Sequence, residues 1–134
     1  LMNNLITLQQ ARDHLRIDDY DSSGGPDDPW LELFITATSY AVAEWLKDDW
    51  RLYTPMLDSS GNQELDSNGD PLPETDSSGD PTPKPIVKIA VLIELERQYR
   101  SRGGEDDTDV DGHGYVLGKG STALLNSLRK STVA

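Results

Sequence analysis

The sequence has no cysteine, which excludes a disulfide framework, a thiolate nucleophile and a cysteine-ligated zinc site. Bases are scarce: 12 Lys and Arg face 24 Asp and Glu, giving a formal charge of -12. Neutralising a phosphate backbone takes clustered Lys and Arg, so charge-driven nucleic acid binding is set aside. No apolar run reaches the roughly 18 residues of a membrane span, and the opening LMNNLITLQQ lacks the basic start and apolar centre of a signal peptide. Cytoplasmic synthesis and no membrane are the expectations. Histidine occurs twice, as His14 and His113, and neither has a Ser/Asp constellation or a carboxylate pair fixed beside it by spacing. No enzyme and no cofactor are expected from these residues.

What the sequence does have is a repeated phrase. DSSGN begins at Asp58, DSNGD at Asp66 and DSSGD at Asp76, with a related DSSGG at Asp21. Asp58 to Asp80 holds seven carboxylates and no base. Asp and Ser side chains bond the local backbone, Gly accepts positive φ and Pro blocks ladders, so the phrase reads as successive exposed turns. A β-hairpin paired around Gly61 or Gly69 is one form open to it. Without this stretch roughly a hundred residues remain, enough for one core. The expectation is a mainly α fold: a single domain over 1–134, a small bundle of about four helices, and an inserted low-complexity arm at about 51–84.

Thr7 and Gln10 make a capping box, so a first helix should begin at Leu8 and end near Arg16, with Leu8, Ala11 and Leu15 on its buried face. Asp28 before Pro29 predicts a second helix from Pro29 to about Lys47. Its polar stripe is read as Glu32, Thr36, Ser39, Ala43 and Lys47, and its apolar arc exceeds what one amphipathic face needs. Two readings fit this surplus: contact with another subunit through residues such as Trp30, Phe34 and Tyr40, or a central helix wrapped by its own neighbours. DDWRLYTPML is open to a short strand. Pro85 predicts a third helix, permissive to Arg102, in which Lys88, Leu92, Glu96 and Arg100 form one i, i+4 row taken as its exposed face. A last short helix should be capped by Ser121 or Thr122, with Leu124, Leu125 and Leu128 apolar and Arg129 and Lys130 suiting its C-terminal dipole.

Among chemical motifs, DTDVDG places Asp107, Asp109 and Asp111 as in the first half of a calcium loop. Its twelfth position is Gly118 where a bidentate Glu is needed. The alternative function carried forward is therefore a small calcium-dependent binding module, against the plainer reading of a solvated acidic loop. DSNGD has its glycine two positions early for a metal loop. GKGST lacks the earlier glycine and buried strand of a phosphate loop, and GHGYVLG lacks the strand and spacing of a dinucleotide fingerprint.

Taken in order, four phrases resemble one family. ITLQQARDHLRIDDYD, DDPWLELFITATSYAVAEWL, PKPIVKIAVLIELERQYRSRGG and STALLNSLRK are similar to successive segments of the head–tail connector (adaptor) proteins of tailed phages, the HK97 gp6-like family. The resemblance covers about three quarters of the chain. It implies a helical, non-catalytic virion protein of the neck, assembled as a dodecameric ring below the portal, extending the DNA channel and offering a platform to a stopper or tail-completion protein. DNA would pass without specific binding. In such a ring the subunit contacts expected from the residues themselves are Trp30, Phe34 and Tyr40 of the second helix and the row Lys88, Leu92, Glu96 and Arg100 of the third. Leu124, Leu125, Leu128, Arg129, Lys130 and Ala134 would lie toward the portal. The arm departs from the family, whose compact members join the second and third helices by shorter segments.

Overall fold

The computed structural model describes residues 4–101 and 117–129. Helix α1 spans Leu8–Leu15 and opens with the expected capping box: the Gln10 N–H donates to Thr7 Oγ1 at 3.0 Å, and Thr7 N–H donates to Gln10 Oε1 at 2.9 Å. It stops at Arg16, whose φ of 58° is left-handed. Ile17 N–H then reaches back to Arg12 O at 2.9 Å and satisfies a terminal carbonyl. Leu5 and Ile6, just upstream, are buried.

Helix α2 spans Asp28–Leu46, one residue earlier than the Asp-Pro signal placed it, and its capping position is Asp27. The Asp28 carboxylate is occupied elsewhere, by Arg12 and the Gly25 N–H. A 3-10 turn follows over Asp49–Leu52, where a short strand was open. Helix α3 spans Pro85–Arg100, and α4 spans Lys119–Leu125 with Gly118 at its cap. Ser121 therefore does not cap α4. Its hydroxyl donates across to Ala90 O at 3.0 Å instead.

Both α1 and α3 pack on α2, and α4 packs on α3. The core interleaves Leu31, Ile35, Val42 and Leu46 of α2 with Val87, Ala90, Val91 and Leu95 of α3, closed by Leu5, Leu52 and Leu125. Among the described residues the fold is mainly helical, with these four helices and no sheet.

The arm differs from the hairpin the sequence left open. Only isolated bridges form, Pro55 with Pro73 and Leu65 with Pro71 among them, and no two-stranded ladder. The backbone closes into cycles of three instead. Met56 N–H donates to Leu72 O, Leu72 N–H to Glu64 O and Glu64 N–H to Met56 O, at 2.8 to 2.9 Å. A second cycle joins Thr54 to Thr82, Thr82 to Glu74 and Glu74 to Thr54, at 2.7 to 2.9 Å. Every donor in these cycles has an even number, whereas Pro55, Pro71, Pro73, Pro81 and Pro83 are all odd. The prolines thus fall only where the cycles require no N–H.

Beyond the cycles the chain emerges in turns of one design. In each, an Asp Oδ1 accepts two amides, as Asp66 does from Asn68 at 2.8 Å and Asp70 at 3.0 Å. Asp58 and Asp76 repeat this with Ser60 and Asn62, and with Ser78 and Asp80. Gly61, Gly69 and Gly79 occupy φ of 83° to 84°, where a side chain would be strained. The repeated phrase is the sequence of this turn.

Candidate interaction surface

Helix α2 keeps Glu32, Thr36 and Lys47 of the expected polar stripe exposed, but part of that stripe turns inward. Ser39 and Ala43, read as part of the polar stripe, are buried. The Ser39 Oγ accepts the Leu5 N–H at 3.0 Å, which supplies a partner for an amide before α1 and makes burial of the hydroxyl affordable. The exposed face extends from Glu32 and Thr36 onto Leu33, Ala37, Tyr40 and Glu44, the last four spaced by four, three and four residues. Leu33 is 65% exposed and Tyr40 61%. Together with Ala41, Trp45 and Leu117 they line a groove of about 740 Å³. Small side chains at Ala37 and Ala41 leave the hollow, and the Leu33 and Tyr40 side chains flank it.

Sequence reasoning named Tyr40 but missed Leu33 and Ala37 as surface. The heptad-like spacing from Leu33 to Tyr40 and from Ala37 to Glu44 was the available signal. Trp30 and Phe34, also expected at a subunit contact, are half-buried and engaged within the chain. Their rings stack with centroids 4.3 Å apart, and Tyr99 meets the Trp30 ring edge-on at 5.4 Å. They fasten α2 to α3.

The expected row on α3 is likewise only partly outward. Arg100 is exposed and donates to Glu96 at 3.3 Å, whereas Leu92 packs against the core and Lys88 is half-buried. His14 Nε2 lies 3.9 Å from Glu96 and has no hydrogen-bond partner.

Of the C-terminal residues, Leu125 is fully buried in the chain's own core and so is not a surface available to a partner. Leu124 and Leu128 are half-buried against that core. Leu128 O accepts from Arg51 Nη1 at 2.8 Å, and the Arg129 guanidinium sits 4.5 Å above the Trp45 ring. Lys130 and Ala134 lie outside the described residues, as do Asp107, Asp109 and Asp111. Among the described residues no cluster of three metal-ligating side chains occurs.

Electrostatics concentrate where α1 meets the start of α2 and at the root of the arm. Arg12 donates to Asp28 from Nε at 3.3 Å and from Nη2 at 2.6 Å, and the Gly25 N–H adds a bond of 2.9 Å. The Arg12 bond, then that of Gly25, hold the Asp28 carboxyl below its ordinary value, and Asp28 raises Arg12 in return. At the arm's root burial, then Arg51, lowers Lys84, while burial, then Asp49, raises the Tyr53 phenol. The arm is therefore seated on the core at its base, and Leu57 and Leu65 further out are 57% and 55% exposed.

Comparison of the chain with family models, with curated proteins and with solved structures finds no match. No helix among the described residues is long and apolar enough to cross a membrane.

Proposed function

We propose that this chain is a ring-forming head–tail adaptor of a tailed phage, acting through contact and not through catalysis. One observation carries the reading: a chain with a closed core leaves an apolar face, Leu33, Ala37 and Tyr40, open along its longest helix. Contiguous exposed apolar surface of this kind is a mark of a binding face. In a closed ring each subunit presents one face to the next, and such heterologous contacts bury what the free subunit exposes. The setting comes from the resemblance of the four helical phrases to the HK97 gp6-like adaptors, which implies a dodecamer on the portal that extends the DNA channel.

In this reading the α2 groove receives the neighbouring subunit, and Arg100 lies at the margin of that contact. Leu124, Leu128 and Arg129, with the segment after them, face the portal, and the opposite end offers the platform for a stopper or tail-completion protein. The excess of acid keeps the passing DNA from sticking, because like charge repels the phosphate backbone. The arm, repeated around the axis, adds weak contacts in many copies.

The test is imaging of the portal vertex in particles of the parent phage by electron microscopy. A ring of this chain below the portal is the expected result. A vertex with no copy of it overturns the proposal.

A further inference from the structure

The outward stripe of α2 has a counterpart on α3. Ile89 is 49% exposed and Arg100 is exposed, and Ile93 and Glu96 between them are half-buried. Ile89, Ile93, Glu96 and Arg100 are spaced by four, three and four residues, the same spacing as Leu33, Ala37, Tyr40 and Glu44. Residues so spaced keep to one side of a helix and suit a second helix packed at a shallow angle. The two stripes lie back to back. Leu31 and Ile35, two residues either side of Leu33, are buried in the core shared with α3, and Val87 and Val91 stand in the same relation to Ile89. Residues two apart on a helix point about 200° from each other. One chain therefore holds its two stripes apart, and only two copies can bring them together.

We propose that the occupant of the α2 groove is the α3 stripe of a second copy, the two helices running parallel. This rests on the reading that α2 receives a neighbouring subunit, and it names the surface that enters. Charge selects the direction. In parallel register Leu33 faces Ile89, Ala37 faces Ile93, Tyr40 faces Glu96 and Glu44 faces Arg100. The branched side chain of Ile93 enters the hollow left by Ala37 and Ala41, the Tyr40 hydroxyl donates to the Glu96 carboxylate, and Glu44 meets a guanidinium at the end of the groove. Antiparallel register sets Glu44 against Ile89 and Leu33 against Arg100, which desolvates two charges opposite apolar side chains. Room for the approach comes from α4, which places a glycine beside the stripe: a Cβ added at Gly120 would stand 3.3 Å from Ile93 Cγ2. Because the paired stripes are different surfaces on opposite sides of the chain, the contact is head-to-tail and passes from copy to copy, as a ring requires.

The native chain has no cysteine, so the register can be read with chains that carry one each. Leu33→Cys and Ile89→Cys chains, mixed at high concentration under mild oxidation, are expected to link to one another with the loss of two hydrogens by mass. Linkage should run about tenfold faster than in a mixture of Asp19→Cys and Ile89→Cys chains. All three positions are exposed, so the substitutions leave the core untouched. Linkage no faster than this control overturns the proposal and leaves the groove to a different protein. Faster linkage of Leu33→Cys chains to themselves also overturns it, because two α2 faces would then meet about a two-fold axis. So does faster linkage of Glu44→Cys to Ile89→Cys chains, the mark of antiparallel register.

A charge swap gives a second readout. Glu44→Arg and Arg100→Glu each set like charges together and should weaken self-association by about tenfold in native mass spectrometry. Both substitutions in one chain should restore it. A double variant no better than the singles removes the Glu44–Arg100 contact and the pairing with it. These readings are taken on the isolated chain: a ring at the portal vertex without the Leu33–Ile89 link overturns the pairing alone, and the link without such a ring supports the pairing while the portal setting fails.

Discussion

Glu94 Oε1, on α3, accepts a 2.8 Å hydrogen bond from the backbone N–H of Gly118, the residue that opens α4. The same oxygen accepts from Ser121 Oγ at 3.2 Å, and Oε2 accepts from Arg97 Nε at 3.1 Å. The Glu94 side chain is wholly buried. Burial of a carboxylate there is tolerated because its oxygens are hydrogen-bonded and a guanidinium faces it. Glu94→Ala strands the partly buried Gly118 amide and removes the bond to Arg97, and should cost about 3 kcal/mol in urea unfolding. Glu94→Gln keeps the shape and should cost roughly half as much. Equal losses would show that shape alone holds α4 in place.

The Arg12–Asp28 pair sets a dependence on acid. Asp28 in the folded chain has its carboxyl held below the ordinary value of 3.8, so the unfolded chain binds more protons there and stability rises with pH across that range. The contribution is fully present above about pH 5 and is lost as pH falls through the lowered folded-state value. Thermal midpoints of the native chain and Asp28→Asn should therefore differ at neutral pH and converge toward pH 2. A gap of constant size would remove the pair as its cause.

Leu33→Asp and Tyr40→Asp place charge on the open face of α2 without touching the core. Unfolding free energies should stay within about 0.5 kcal/mol of the native chain. Assembly, read by light scattering or native mass spectrometry in the presence of portal, should fall at least tenfold. Variants that assemble normally would clear this face of the role given to it.

Charge reversal at Arg100 separates folding from association at the neighbouring margin. Its bond to Glu96 is a surface pair with Arg100 73% exposed, which limits its share of stability to about 0.5 kcal/mol. Arg100→Glu should weaken ring formation while leaving the melt in place. A ring that forms unchanged takes α3 out of the interface.

Replacing 58–80 by a short Gly/Ser link should leave the helical melt cooperative, because the outer turns contribute none of the buried core. The root is different. Lys84 N–H donates to Leu52 O at 2.8 Å and Leu52 is fully buried, so a deletion extended through Lys84 should lower the midpoint. Loss of cooperativity in the shorter deletion would show that the turns pack on the helices.

The helices were readable because their ends carry chemistry at fixed offsets: Thr7 with Gln10, Pro29 near a start, Pro85 at another. The rotation of α2 was not, since nothing local reveals that the Ser39 hydroxyl receives an amide from 34 residues away. The same is true of Ser121, which looks like a cap and serves instead as a tie between helices. Trp30 and Phe34 illustrate a further limit. Aromatic surplus on a helix signals contact, but only the position of Tyr99 shows that much of the contact is internal. In the arm, the turns were legible in the repeated phrase, whereas the pairing into threes depends on closure between segments up to 28 residues apart.

That closure bears on a hazard unrelated to binding. Extended segments usually offer a row of free amides and carbonyls on which other chains can template cross-β stacks. Here each cycle spends one donor from each of three segments on the others, and prolines occupy many of the alternate positions. Many copies can stand close together, or be made at high concentration in a cell, without zipping arm to arm. Whatever meets the arm finds the even-numbered amides of its cycles, from Thr54 to Thr82, already spent.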